Sequence, residues 1–523
     1  SKTPLPQKPN NSKAGRGKAL RQILASLVAN LGTINTGMAF GFSATVLPQL
    51  KSNESSIHIT ETEASWIASL SAAGTPVGCL LSGYLMDVIG RRLTLLITEV
   101  PLILGWLLIA FACNIPMIYV GRLMIGLGSG MVGAPARVYT CEVSQPHLRG
   151  MLGALASVGV STGVLISYVI GSMTAWNILA GVSAIVPMLS LLGMLLLPET
   201  PNYLLSHGNR DRAESSLVKL RGSTLFLKSL TMVHADRDAQ LPAVARQATP
   251  RGELTREAPL LHRTENKPSI EWLSSVKDYI KALLSPSALK PFAILAVYFF
   301  IYQWCGVNTI TFFAVEVFRA SGATKENQYW LTIAMGIVRL IFTVVGCILC
   351  RRCGRRPLTF VSAVGCGSTM IVLAVYMYFV EQWKQAGVAP MYAWIPVAAI
   401  FIFMISCTLG YLIVPWIMIG EVYPTQVRGI VGGMTTTAAH LSVFSVVKTF
   451  PFLKDALNYY GAFAVYGAMS IGVSCVFCVP GIAFFYIFLP ETKGRTLQEI
   501  EDYFCGRTKT LKQPNKTEGA LST

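Results

Sequence analysis

Three short polar signatures occur twice in this chain, at matching places. Gly90-Arg91-Arg92 returns as Gly354-Arg355-Arg356, and Pro198-Glu199-Thr200 returns as Pro490-Glu491-Thr492. Glu142 stands seven residues before Arg149-Gly150, and Glu421 seven residues before Arg428-Gly429, about two helical turns in each case. Arginine grips a carboxylate through a planar fork and stays charged, so the chemistry on offer is reversible ion pairing. Pairs that form across two halves in one state and separate in another would bias a two-state equilibrium. Asp87, just before the first Gly-Arg-Arg, is expected to pair with Arg91 or to orient the loop. The expected gating set is Asp87, Arg91, Arg92, Glu142, Arg149, Glu199, Arg355, Arg356, Glu421, Arg428 and Glu491. No nucleophile–base set, phosphate loop or metal-ligand spacing accompanies it, so an enzyme is not expected and no cofactor or metal is called for.

The elements that must hold these residues are apolar. Hydrophobic types make up 52% of the 523 residues and charged types only 13%, against about 25% charged in a soluble chain. Mean hydropathy is +0.52. Spans of about 20 apolar residues are expected near 22–48, 64–86, 93–112, 116–138, 151–172 and 176–197. A second six follow near 289–318, 327–350, 357–380, 392–420, 430–452 and 461–489. The expected fold is all-α: about twelve membrane helices in two six-helix bundles, 22–197 and 289–489, with each signature recurring at the same place in its bundle. Duplicated six-helix halves are a mark of transporters. A polar linker, 198–288, joins them, with tails at 1–21 and 490–523. Within the linker, Ala213, Leu217 and Leu220 share one helical face and Arg212, Glu214 and Lys219 lie elsewhere, so short amphipathic helices against the membrane face are expected. The stretch 235–268 reads as disordered, with Leu260-Leu261 as a weak sorting signal.

Net charge is +17, but the basic residues cluster between spans and in the tails rather than in a nucleic-acid reading motif. Arg91, Arg92, Arg149, Arg351, Arg352, Arg355, Arg356 and Arg428 fall in alternate loops, together with both tails and the linker, so that side is expected to be cytoplasmic. The opposite loop 50–63 is acidic and carries the sequon Asn53-Glu54-Ser55, a glycosylation acceptor on the expected outer side. The apolar start after a basic first 21 residues is too long for a cleaved leader and reads as a retained span. The 12 cysteines are scattered, many within spans, and are expected to serve as small packing side chains rather than as disulfides or a zinc site.

These residues resemble the sugar porter family of the major facilitator superfamily, over about 20–505. The resemblance is carried by Asp87 to Arg92, Gly126-Leu-Gly128-Ser-Gly130 through Tyr139, Glu142 and Arg149, and Pro198-Glu-Thr-Pro201. Gln303 to Asn308, Pro415-Trp416 and Pro490 to Arg495 complete it. Arg21-Gln22, Gln145-Pro146 and Val447-Lys448-Thr449-Phe450 are similar to the insect facilitated trehalose transporter-like branch. The resemblance implies alternating access around a sugar held between two bundles. The plasma membrane is the expected location; the sequence leaves the oligomeric state open, with a monomer favoured. It assigns Gln303 and Asn308 to the sugar hydroxyls, which suits amides because they both donate and accept. Trp416 is assigned to stack on the sugar ring, and Phe312 and Phe313 to an extracellular aromatic gate. Gly410 and Pro415 permit a broken tenth helix.

Several positions depart from the family pattern. Tyr302 replaces the first amide of the seventh span, Ser157 a glutamine, Arg339 an asparagine, Ala439 and His440 an asparagine and a tryptophan, and Arg137 a proline. An aspartate before the second Gly-Arg-Arg is Arg351. The expected binding set is therefore Gln303, Asn308, Trp416, Arg339, Tyr302, His440 and Ser157. A mid-membrane arginine is costly and normally faces a partner or the bundle interior, so Arg339 is read as a substrate contact, as an internal ion pair with Glu316 or Glu99, or as a snorkelling group. Proton-coupled relatives carry an aspartate in the first span, where Gly37 to Phe42 has no acid. Uniport is favoured, with Glu99 the one acid deep in the first half. A sugar sensor is a further reading, disfavoured by the roughly 30 residues after Glu491, and an acidic or unusual polyol is a third, motivated by Arg339 and His440.

Overall fold

The computed structural model describes residues 14–52, 57–145, 148, 152–221, 285–324, 327–388, 390–423, 427–471, 481–491 and 497–504. Helices dominate, because a lipid-facing backbone must satisfy its own hydrogen bonds. The first half runs α1 (Ala14–Ala29), α2 (Leu31–Leu50), α3 (Glu61–Val88), α4 (Arg91–Ala110), α5 (Ile115–Val143), α6 (Leu155–Met173) and α7 (Trp176–Leu196). Two short helices follow, α8 (Pro201–Ser206) and α9 (Arg210–Arg221). The second half comprises α10 (Pro286–Trp304), α11 (Val307–Phe312), α12 (Ala314–Ala320), α13 (Asn327–Cys353), α14 (Arg355–Gln385), α15 (Trp394–Leu409), α16 (Val414–Val422), α17 (Arg428–Ile471) and α18 (Gly481–Phe488), with α19 (Leu497–Phe504) after it.

Ten stretches among the described residues are long and apolar enough to cross a membrane, where about twelve were expected. One difference lies in breaks, and the other in the expected twelfth span, part of which (472–480) lies outside the described residues. The expected seventh span is cut into α10, α11 and α12. The eleventh and the start of the twelfth run together as α17, kinked at Asn458, whose φ is +57°. The first span begins earlier than residue 22, since 14–21 are already helical, and α1 gives way to α2 at Asn30. There the Asn30 side chain donates to Ser26 O (2.7 Å) and to Thr140 Oγ1 on α5 (2.9 Å), tying the break to a neighbouring helix. Leu192 and Leu196 on α7 and Val361 and Val364 on α14 are exposed, as lipid-facing side chains must be.

Within the first half, α3 and α4 pack on α5, and α2 packs on α6. In the second, α14 packs on α15 and α17, and α13 on α15. The halves meet where α3 lies against α17, α6 against α13, and α2 against α11 and α12. The helix expected in the linker is α9: Ala213, Leu217 and Leu220 are buried while Arg212, Glu214 and Lys219 are exposed. It docks on α1, where Arg21 Nη1 donates to Lys219 O at 3.4 Å. The expected disordered stretch and Leu260-Leu261 lie outside the described residues, as does Asn53.

Arg122 on α5 shows how this fold holds a buried charge. It is fully buried, yet Nε donates to Ile67 O (2.8 Å) and Nη1 to Ala39 O (2.9 Å). Nη2 reaches Ser43 Oγ (2.8 Å) and Ser71 Oγ (3.0 Å). One guanidinium thereby ties α2, α3 and α5 together, a role the sequence reading missed. Arg122→Met removes several charge-assisted bonds of about 1.5–3 kcal/mol each. It is expected to destabilise the first half by about 3 kcal/mol or more, read as a lowered melting temperature of the purified protein in detergent.

Candidate translocation site

The duplicated signatures form the same construction twice. Gly90 has φ +95° and Gly354 φ +90°, a region that glycine enters at little cost. Each glycine turns the chain so that the next two backbone N–H groups face a carboxylate from the end of its own half. Glu199 accepts from Arg91 N (3.1 Å) and Arg92 N (3.0 Å). Glu491 accepts from Arg355 N (3.1 Å) and Arg356 N (3.0 Å). An acid on the first N–H groups of α4 and α14 also suits the helix dipole. A side chain on Gly90 would meet Glu199 Oε2 at 2.6 Å, and one on Gly354 would meet Glu491 Oε2 at 2.9 Å. Arg91 then pairs with Glu142 (3.2 Å) and Arg355 with Glu421 (2.5 Å). Arg92 donates to Leu195 O at 2.7 Å, and Arg356 to Tyr486 O.

Two expectations are corrected here. The described pairs of the gating set close within a half, not between halves, so in this state they brace each bundle. Asp87 is exposed, and Arg91 takes Glu142 and Met86 O instead, because Glu142 on α5 lies in front of the fork. Arg149 lies outside the described residues. Arg428 begins α17, but its side chain is not described.

At the opposite end the halves are joined by charge. Lys51 at the end of α2 lies 3.9 Å from Glu316 of α12, and Lys454 of α17 lies 3.9 Å from Glu61 of α3. The shorter bonds are Lys51–Glu61 (2.8 Å) and Lys454–Glu316 (3.1 Å), and Tyr459 OH donates to Glu316 (3.0 Å). Lys448 Nζ sits 3.7 Å from the Trp66 ring centroid, a cation–π contact between halves. Phe312 packs on Phe40 of the first half at 5.3 Å, and Phe313 on Phe450 at 5.0 Å. The expected gate phenylalanines are thus buried in a sealed end. The ion network beside them was not anticipated.

Between the two ends lies the expected binding set. Gly306, with φ +93°, breaks the seventh span between α10 and α11. A side chain there would meet Tyr466 at 2.9 Å and Met370 at 3.0 Å, so glycine is required on both counts. The break brings together two amides, and Asn308 Nδ2 donates to Gln303 Oε1; both residues are buried. The tenth span breaks at Gly410, where Val414 N returns to Gly410 O (2.8 Å) and Tyr411 N donates to Ser362 Oγ (3.3 Å). Trp416 follows on α16, with its ring centroid 4.9 Å from Phe299 and 6.0 Å from His440. His440 Nδ1 engages Thr436 O at 2.9 Å, which occupies one ring nitrogen. Tyr302 is buried, with its ring 6.4 Å from Phe299 and 6.0 Å from Tyr411. Ser157 is half-buried on α6; one turn on, Ser161 Oγ meets Thr343 Oγ1 of α13 at 2.9 Å.

Arg339 of α13 is 2% exposed. Its Nη1 donates to Thr311 Oγ1 at 2.9 Å, while Nε is buried with no acceptor. The ion-pair reading is corrected: Glu316 is taken by Lys454 and Tyr459, and Glu99 accepts from Ser190 Oγ at 2.6 Å. Arg137 of α5, which the sequence reading noted only as a departure, lies with its guanidinium 4.9 Å from the Trp416 ring centroid. It stands five residues before Glu142, as Trp416 stands five before Glu421. Equivalent positions of the two repeats thus face each other across the halves. A third unexpected cluster is Cys305, Cys366 and Cys407, whose buried thiols lie within 4.8 Å of one another. Sequence spacing could not show it, because the three come from separate elements.

A family model described as "Sugar (and other) transporter" matches residues 25–504. The facilitated trehalose transporter Tret1 of Culex quinquefasciatus is 30% identical over 94% of this chain and 87% of its own length. Tret1 of Drosophila virilis is 32% identical over 94% of this chain and 49% of its own length, and Tret1 of Aedes aegypti 30% over 94% and 56%. The chain therefore spans about half the length of several of the curated relatives it matches. Among solved structures, the proton:xylose symporter XylE bound to 6-bromo-6-deoxy-D-glucose superposes with a TM-score of 0.68. It is 21% identical, with 94% of this chain and all of that chain covered. The partially occluded inward-open E. coli xylose transporter gives 0.67 at 19% identity, over 90% and 100%. The likeness supports the two-bundle major facilitator fold.

Proposed function

Because the chain belongs to the sugar (and other) transporter family, we propose that it is a facilitative sugar carrier, a uniporter for trehalose or a hexose such as glucose. The observation that carries this reading is the site between the halves, where two amides and one tryptophan sit beside the breaks of two spans. Gln303 and Asn308 offer donors and acceptors to hydroxyls, and Trp416 offers a flat apolar face. Both reside beside breaks that let helix ends move relative to the rest of each bundle, as alternating access requires. Tyr302, His440, Ser157 and Arg339 complete the wall. The Gly-Arg-Arg end faces the cytoplasm with both termini, by the positive-inside rule, and the protein resides in the plasma membrane as a monomer. It binds no nucleic acid and catalyses no reaction. On this reading, the closed packing around Phe312 and Phe313 at the opposite end corresponds to an inward-facing state.

The absence of an acid between Gly37 and Phe42 on α2 supports uniport. Uptake of labelled trehalose and glucose in a host lacking its own carriers is expected to be saturable. A protonophore is expected to change it by less than about twofold, since no proton gradient drives it. A second reading, proton symport, is favoured by one observation: Glu99 is 1% exposed, and its Oε2 is buried without a partner. That reading predicts collapse of uptake with the protonophore, and its rescue in Glu99→Gln as gradient-independent exchange.

A further inference from the structure

The site between the halves carries two arginines that have no carboxylate partner among the described residues. Arg122 shows what a structural arginine looks like here: its donors are spread over five oxygens of two neighbouring helices. Arg339 is nearly as deeply buried but, among the described residues, its side chain makes one hydrogen bond, to Thr311 Oγ1. Arg137 is half-buried and, among the described residues, makes no hydrogen bond or ion pair; its guanidinium lies over the face of Trp416, with Cys79, Cys141 and His440 nearby. Four acids of the described spans are engaged elsewhere: Glu142 with Arg91, Glu421 with Arg355, Glu316 with Lys454, and Glu99, through Oε1, with Ser190. Among the described residues, neither arginine has a carboxylate partner.

The two are joined by one wall. Arg137 lies over Trp416, Trp416 packs on Phe299, and Phe299 packs on Tyr302. Arg339 holds Thr311, one turn along α11 from Asn308. The tryptophan face and the guanidinium fork are thus adjacent, a sugar platform with a carboxylate clamp at its edge. We propose that the preferred substrate is an acidic sugar, a hexose-sized ring bearing one carboxylate. Its ring rests on Trp416, its hydroxyls meet Gln303 and Asn308, and its carboxylate takes the Arg137 fork, with Arg339 supplying a second positive charge along the path. Arginine suits the task because it binds a carboxylate bidentately and stacks on an aromatic ring at the same time. This rests on the sugar-carrier reading and narrows its substrate class.

The test uses the full chain in liposomes, with D-glucuronate as the acidic probe and D-glucose and trehalose as the neutral ones. Unlabelled glucuronate is expected to inhibit labelled glucose uptake at a concentration about tenfold lower than glucose itself, the gain of one charge-assisted pair. Labelled glucuronate uptake is expected to rise when a potassium diffusion potential makes the interior positive, because one negative charge crosses per cycle. Arg137→Gln is expected to lower the glucuronate-to-glucose preference at least fivefold, and Arg137→Lys to restore part of it. Glucose or trehalose flux that glucuronate neither inhibits nor accompanies would overturn the proposal and leave the sugar carrier standing. A glucuronate preference unchanged in both Arg137→Gln and Arg339→Gln would overturn it as well. No flux of any of the three sugars would remove the sugar-carrier reading beneath it. The wild-type measurements decide the matter even if a variant fails to fold.

Discussion

Replacing Gln303 with leucine will lower sugar uptake by about 10- to 100-fold while leaving the amount of protein in the membrane unchanged. Gln303 accepts from Asn308 inside a buried site. Leucine keeps the volume and removes the acceptor, so Asn308 and a substrate hydroxyl both lose a partner. An unsatisfied buried polar group costs about 1–3 kcal/mol, and each 1.4 kcal/mol is about tenfold in affinity. A polar site rejects a mismatch more strongly than an apolar one does. The loss should therefore appear in the half-saturation concentration for labelled sugar, measured alongside surface expression. Uptake within about twofold of wild type would place the hydroxyl contacts elsewhere.

Neutralising Glu316 will unseal the closed end. Glu316 lies at 12% side-chain exposure between Lys454, Lys51 and Tyr459, and its 3.9 Å approach to Lys51 crosses from the second half to the first. In Glu316→Gln the two lysines keep their charges without it. A fully buried pair broken on one side costs about 3–5 kcal/mol. Partial exposure lowers that to about 1.5–3 kcal/mol, enough to shift the equilibrium between the two open states about tenfold or more. Ser65, which donates to Lys448 O at 3.4 Å across the seal, reports the change. In a Ser65→Cys, Cys113→Ser background, labelling by a membrane-impermeant maleimide is expected to rise about tenfold with Glu316→Gln. Unchanged labelling would show that aromatic packing alone holds the end shut.

Much of this fold was legible because lipid leaves few choices. A run of about 20 apolar residues has little option but a helix, and a charge between such runs must sit at an end or find a partner. The duplicated glycines, arginines and glutamates followed that rule, so their position was readable. Their partners were not. Whether Arg91 meets Glu142 of its own half or an acid of the other depends on the relative tilt of whole bundles, which no local pattern records. The same limit hid the Lys51, Glu61, Glu316 and Lys454 network, whose members come from four helices and lie up to some four hundred residues apart. Helix breaks were partly readable: Gly410 and Pro415 announced one, and Gly306 made the other. Asn458, which adopts positive φ without being glycine, gave no such sign. Arg137 was visible only as an oddity until Trp416 was found beneath it.

The central claim is that sugar crosses between the two halves by alternating access, without a driving ion. Counterflow in liposomes holding only this chain tests it most directly. With unlabelled sugar trapped inside and no pH or ion gradient, labelled sugar added outside should accumulate transiently above equilibrium and then decline. Accumulation no greater than in empty liposomes, for trehalose, glucose and glucuronate alike, would contradict the account.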